Sequence, residues 1–268
     1  MTSSELRSRL DVAIQAAREA GHLTLNYFQR VDLSYERKSD DSPVTVADRA
    51  AEEQLRKTIL AHFPEDAVLG EEFGEVEGSS GYRWILDPID GTKSFISGVP
   101  LYGTLIGVEH NERSVIGVIL IPGLQECVYA VQGGGAWYVR GDADPTRASV
   151  SAVASLRDAV CVTTQVDSFA QRLGEPAYQG LQSQAYIMRT WGDCYGYLLV
   201  ATGRAGVMID PYMNVWDAAA IQPIMEEAGG TFTDWQGVPT IYSGEGIGTN
   251  GHLLEEVLRV TRPCPRLS

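Results

Sequence analysis

At 268 residues the chain has room for one large domain or two halves sharing a core, on an allowance of about 150 residues per domain. Its 21 basic against 35 acidic residues give a formal net charge of −14, a surface that repels phosphate backbones and anionic lipid and so excludes docking to nucleic acid or membrane through a basic patch. The first residues are polar and charged, and the longest apolar run, around Val115 to Ile121, falls far short of the ~20 residues of a spanning helix; the expectation is a soluble, cytoplasmic protein.

From Leu6 to Phe28 the apolar positions recur at three/four spacing, which predicts an amphipathic helix. Residues 35–43 read as polar and turn-like, and a second helix runs from about Val46 to His62, stopped by Pro64. The Gly- and Ser-rich stretch 74–81 reads as a flexible surface loop. Strand-like runs follow at 82–86, 101–109, 114–121, 126–131 and 136–139, separated by turn-formers in the rhythm of an antiparallel meander. Beyond residue 146 strand-like segments (159–164, 185–190, 206–209, 230–233) alternate with helical ones (193–201, 216–227, 251–260). The expectation is therefore an α+β half over residues 1–145 followed by an α/β half over 146–268, without a long linker between them.

Rare residues narrow the chemistry. The four cysteines form no CxxC pair, the four histidines have no metal-ligand spacing, and neither GxSxG nor GxxxxGK occurs. Carboxylates remain. In Trp84-Ile85-Leu86-Asp87-Pro88-Ile89-Asp90-Gly91-Thr92-Lys93 an apolar strand delivers two acids three residues apart, with Pro88 stiffening the backbone between them. Asp87, Asp90 and the carbonyl of Ile89 can converge on a hard divalent cation. Backbone N–H groups of Gly91 and Thr92 at a helix start could receive phosphate beside it. The spacing of three and the intervening proline separate this segment from the DxDGT of haloacid-dehalogenase phosphatases. The competing reading is plain turn and cap chemistry for Asp87 and Asp90. Glu71 in Gly70-Glu71-Glu72 could equally be a solvated loop acid, and Asp217 in Asn214-Val215-Trp216-Asp217-Ala218-Ala219-Ala220 a first-turn helix acid.

Taken together and in this order, GEE, DPIDGT and WDAAA resemble the inositol monophosphatase superfamily of magnesium-dependent, lithium-sensitive phosphatases. The resemblance spans nearly the whole chain, including Lys38, the run Pro43-Val44-Thr45-Val46-Ala47-Asp48 and Glu227-Ala228-Gly229-Gly230. It implies a layered αβαβα sandwich of α+β class, two or three Mg²⁺ per active site, and a homodimer. By the same resemblance Glu71, Asp87, the Ile89 carbonyl, Asp90 and Asp217 ligate the metals. Glu71 and Thr92 orient the attacking water, Thr92 is hydrogen-bonded toward Asp48, the Gly91 and Thr92 amides hold the phosphate, and Lys38 is a nearby loop cation.

Within the superfamily, the run from Asp90 to Pro100 (DGTKSFISGVP) and Gly192-Asp193-Cys194-Tyr195 look like the histidinol-phosphate phosphatase branch, with its role in histidine biosynthesis. An ammonium- and imidazole-bearing substrate calls for acids in its pocket. Asp193 and Asp210 are candidates for that role and Arg189 for supporting the phosphate; a helix cap, a turn acid and a structural ion pair are the respective alternatives. Trp191, Tyr195, Tyr197 and Tyr212 are candidates for stacking on the imidazole or for core packing. Inositol 1-phosphate or another sugar phosphate is the rival substrate, and a catalytically silent metal- or anion-binding relative the rival class.

Overall fold

A computed structural model describes residues 3–31, 33–37 and 43–267; Lys38 lies outside them. The first half runs α1 (Ser3–Leu25), a short hairpin of β1 (Tyr35–Arg37) and β2 (Pro43–Thr45), α2 (Val46–His62), β3 (Ala67–Gly70), β4 (Gly74–Val76), β5 (Tyr82–Asp90), α3 (Thr92–Ile96), β6 (Gly103–His110), β7 (Arg113–Ile121), β8 (Glu126–Val131), β9 (Gly135–Arg140) and β10 (Thr146–Arg147). Strands β3 to β10 make one eight-stranded sheet in the order β10-β9-β8-β7-β6-β5-β3-β4, antiparallel except where β3 runs parallel to β5. The second half supplies β11 (Val160–Val162), α4 (Asp167–Gln171), α5 (Glu175–Gln184), β12 (Ile187–Arg189), α6 (Cys194–Ala201), β13 (Val207–Asp210), α7 (Val215–Ala218), α8 (Ile221–Glu227), β14 (Thr231–Thr233), β15 (Gly246–Thr249) and α9 (Leu254–Thr261). Its five strands form a mixed sheet in the order β12-β11-β13-β15-β14.

The large sheet is covered on both faces, which is why its strands read as continuous apolar runs. Side chains alternate across it. Trp84, Leu86, Ile106, Val108, Ile116 and Val118 pack under α1 and α2. Ile85, Leu105, Ile119 and Ile121 face the opposite way, onto α6 and α8. Those helices also cover Val162 and Met208 of the small sheet. The far face of that sheet packs through Cys161, Val207 and Ile247 on α5 and α9. The layer order is helix, sheet, helix, sheet, helix, as expected.

The structure departs from the expected elements at several places, among them α4, α5 and β15, which were not expected. Residues 35–37 are not a turn but pair with 43–45. Residues 74–76 of the supposed flexible loop form β4 against β3. The helix expected over 216–227 is broken at Ala219 and Ala220. Pro223 has no N–H to give Ala219, four residues back, and the freed Ala219 carbonyl accepts the Ser114 hydroxyl instead. The break rests on Gly107 and Gly117, which face each other across β6 and β7. A Cβ at Gly107 would lie 2.5 Å from Ala219 Cβ. Bare backbone at this crossing lets α7 approach the sheet and brings Asp217 to the end of β5. Among the described residues no helix is long and apolar enough to cross a membrane.

Candidate active site

Strand β5 continues four residues past its expected end and carries both DPIDGT acids, with the pairing to β6 irregular between Asp87 and Asp90. That irregularity spans Pro88, which has no N–H for the ladder. It turns Asp87, Asp90 and Asp217 to one point, where each offers an oxygen and all three oxygens lie within 4.8 Å of one another. Glu71, in the turn after β3, is tied by its own N–H to the Leu86 carbonyl (3.2 Å) and thereby held beside the segment that carries Asp87.

Most of these acids are anchored through a backbone N–H before any ligand arrives. Ile89 N donates to Asp87 Oδ1 (3.0 Å), Cys194 N to Asp90 Oδ2 (2.5 Å), and Asn214 N to Asp217 Oδ2 (2.6 Å). Thr45 N and Oγ1 donate to Asp48 Oδ2 at 2.8 and 2.6 Å. Asp48 and Asp217 each sit three residues into a helix in a capping box. The cap reading of Asp217 is thus realised with one carboxylate oxygen, and Asp217 still joins the cluster. Thr92 Oγ1 lies 3.1 Å from the Ile89 carbonyl and 3.5 Å from Asp48 Oδ1. Its single proton therefore goes to Ile89, and the contact toward Asp48 is long.

Like charges gathered out of water favour their neutral forms. Burial, and then the neighbouring acids, hold Asp87 and Asp90 well above the usual carboxylate range. Burial pushes Asp217 up to about 7, with Glu71 adding to it. Asp48 is raised to about 6, again chiefly by burial and further by Glu71. An all-oxygen set that is costly to ionise alone and converges on one point fits a hard divalent cation.

Beside the cluster lies a cavity of about 180 Å³, lined by Asp90, Asp193, Asp210 and Asp217 together with Thr164, Gln165, Ser168 and Tyr212. Asp193 stands at the start of α6 but makes no side-chain cap bond; its φ of 51° sets it apart from ordinary cap geometry. Its carboxyl reaches toward Gly91, whose φ of +85° favours glycine and where a Cβ would lie 2.7 Å from Asp193 Oδ2. Burial raises Asp193 to about 6, opposed by the Lys93 ammonium. Asp210 is raised to about 7 by burial, against a hydrogen bond from Thr164 N (3.2 Å).

Arg189 is not brought to this cavity. It is exposed on β12, the edge strand of the small sheet, and its Nη1 donates to the Met188 carbonyl (2.8 Å). Of the four aromatic candidates, Tyr197 and Tyr212 line the cavity, whereas Trp191 and Tyr195 do not. Sequence reasoning missed Thr164, whose N–H holds Asp210 and whose hydroxyl accepts from Asp193 N (2.8 Å). It also missed Gln165, which accepts from Lys93 Nζ (2.8 Å). The available signal was topological: Thr164 follows β11 and Asp210 ends β13, two neighbouring parallel strands, and ligands in such sheets gather at carboxyl ends.

The chain is similar to known proteins over most of its length. A histidinol-phosphatase from Chlorobaculum parvum is 45% identical over 238 residues, covering 89% of this chain and 90% of that protein. A histidinol-phosphatase from Mycobacterium tuberculosis is 39% identical over 249 residues, covering 93% and 96%. The solved structure of an inositol monophosphatase from Zymomonas mobilis superposes with a TM-score of 0.84 at 30% identity, over 98% of this chain and 100% of that one. The family model for the inositol monophosphatase family matches residues 5–265, and the chain belongs to that family.

Proposed function

We propose that this protein is a phosphoric monoester hydrolase that converts L-histidinol phosphate to L-histidinol and phosphate in histidine biosynthesis, with Mg²⁺ as its cofactor, two or three ions per site. The observation that carries the reading is the second pair of acids, Asp193 and Asp210, in the cavity adjoining the Asp87–Asp90–Asp217 cluster. One group of acids suits a metal and the other a cationic substrate tail. Similarity to histidinol-phosphatases at up to 45% identity supports the same substrate.

Glu71, Asp87, the Ile89 carbonyl, Asp90 and Asp217 would hold the metal, which when bound neutralises phosphate charge and lowers the pKa of water. In this reading Thr92 and Glu71 orient the attacking water, and Asp48 holds the start of α2 beside Thr92. The Gly91 and Thr92 amides receive phosphate oxygens. Asp193 and Asp210 receive the ammonium and imidazole. Arg189 has no part in this arrangement within one chain. A homodimer is the expected assembly, and its test is a solution mass of twice that of the chain. Lithium is the expected inhibitor. Four free, buried cysteines suit a reducing cytoplasm.

Two substitutions test the substrate assignment. Asp193→Asn and Asp210→Asn should each lower kcat/KM for histidinol phosphate by about tenfold or more, because each strips a buried partner from a cationic group. Turnover of inositol 1-phosphate, which has no cation to lose, should fall less. Equal losses on both substrates would remove these acids from substrate recognition.

A further inference from the structure

The turn that presents Glu71 joins the paired strands β3 and β4 and is also held from α2. Behind it lies Glu52, a fully buried carboxylate on α2. Glu52 Oε2 accepts the N–H of Glu72 (2.7 Å), Oε1 accepts the N–H of Phe73 (3.2 Å), and Oε1 also pairs with Arg56 Nε (2.8 Å). Arg56 reaches on to the Gly74 carbonyl through Nη2. The two amides immediately after Glu71 and the carbonyl at the end of the turn are thus captured by one ion pair. Gly70 is shaped by the same contact: a Cβ there would overlap the Glu52 carboxylate. The glycine of the GEE motif leaves room for Glu52.

Asp48, Glu52 and Arg56 follow each other at spacings of four, so they form one stripe on α2. Asp48 faces Thr92, and Glu52 with Arg56 grips the Glu71 turn. A buried carboxylate is costly unless paired and hydrogen-bonded. Glu52 is both: Arg56, four residues on in the same helix, supplies the counter-charge, and the amides of Glu72 and Phe73, which follow Glu71, supply the other hydrogen bonds.

We propose that Glu52 is a positioning residue for the metal site: with Arg56 it fixes the turn so that Glu71 is presented to the cation. The proposal rests on the reading of Glu71 as a metal ligand. Partners of this kind around a metal site are worth about 10–100-fold in metal affinity.

The test is a double-mutant cycle read by Mn²⁺ binding, using electron paramagnetic resonance of free Mn²⁺ on the full chain, with circular dichroism and thermal unfolding confirming the fold. Glu52→Ala should weaken Mn²⁺ binding by about tenfold or more, yet cause no further loss in the Glu71→Ala background, since its effect passes through Glu71. An equal loss in both backgrounds, with Glu71→Ala itself weakening binding, would overturn the positioning role alone. So would unchanged Mn²⁺ affinity in Glu52→Ala. No effect from Glu71→Ala would overturn the ligand reading, and this proposal with it. If Glu52→Ala does not fold, Glu52→Gln, which keeps the side chain's shape and one acceptor oxygen, is carried through the same cycle with the same pattern expected at smaller amplitude.

Discussion

Asp90 accepts the Cys194 amide on Oδ2, and its carboxylate also offers an oxygen within 4.8 Å of oxygens of Asp87 and Asp217. Replacing it by Asn keeps the size and removes the charge. Asp90→Asn should therefore lower phosphate release by about a hundredfold or more at saturating Mg²⁺; turnover at the original rate would remove the metal mechanism. Gly91 is a second single-residue test. Its positive φ and the nearby Asp193 carboxylate both oppose a side chain, so Gly91→Ala should cost about 1–2 kcal/mol in thermal or urea unfolding. It should also raise KM for histidinol phosphate by displacing Asp193, and an unchanged KM would separate Gly91 from the substrate side. The acids of the DPIDGT segment are close in sequence, so their convergence could be read from the chain. That Asp217 joins them depends on Gly107, Gly117 and Pro223, three residues with no chemistry of their own and no local signal linking them to the site.

Elements were most legible where burial imposed a clear period. α1, α2 and the meander β6 to β9 fall close to their expected spans, because the helices pack an apolar face on the large sheet and its strands are buried apolar runs. β1, β2 and β4 were not visible, since short strands without a buried alternating face carry no periodic signal. α1 is also fixed by polar contacts that no spacing rule predicts. Arg9 is buried between Phe63 and Tyr82, its guanidinium 4.4 and 3.5 Å from the ring centres. It meets Asp66 through two hydrogen bonds of 2.8 and 2.9 Å, and Trp84 Nε1 donates to the same carboxylate (2.8 Å). Arg9→Ala would leave the Asp66 charge without its buried counterion, and a loss of about 3–5 kcal/mol is expected in urea denaturation. A loss below about 1 kcal/mol, the range of exposed pairs, would mean that α1 is held by its alanine face alone.

At the scale of the whole molecule, the active-site acids couple stability to pH and metal. Asp48, Asp193, Asp210 and Asp217 are raised in the fold to about 6, 6, 7 and 7. The metal-free native state therefore binds more protons than the unfolded chain between about pH 4 and pH 7, and stability falls as pH rises through that window. In the presence of chelator, Tm should drop between pH 5 and pH 8. Mg²⁺ should raise Tm more at pH 8, where the acids are ionised and no proton competes. A metal-induced shift that is larger at pH 5 would contradict this. The layered architecture was implied by the family resemblance, and the change in character of the strand and helix runs near residue 146 agrees with it. The cavity was only partly legible, since it joins the end of β5 to the carboxyl ends of β11 and β13, which are distant in sequence. The most direct test of the proposed function is inorganic phosphate release with Mg²⁺ from L-histidinol phosphate and inositol 1-phosphate in parallel. A kcat/KM preference of about a hundredfold for histidinol phosphate, worth ~2.7 kcal/mol of differential transition-state binding, is the expected result. A preference for inositol 1-phosphate would contradict the assignment of Asp193 and Asp210 to a cationic substrate while leaving the fold and the metal cluster in place.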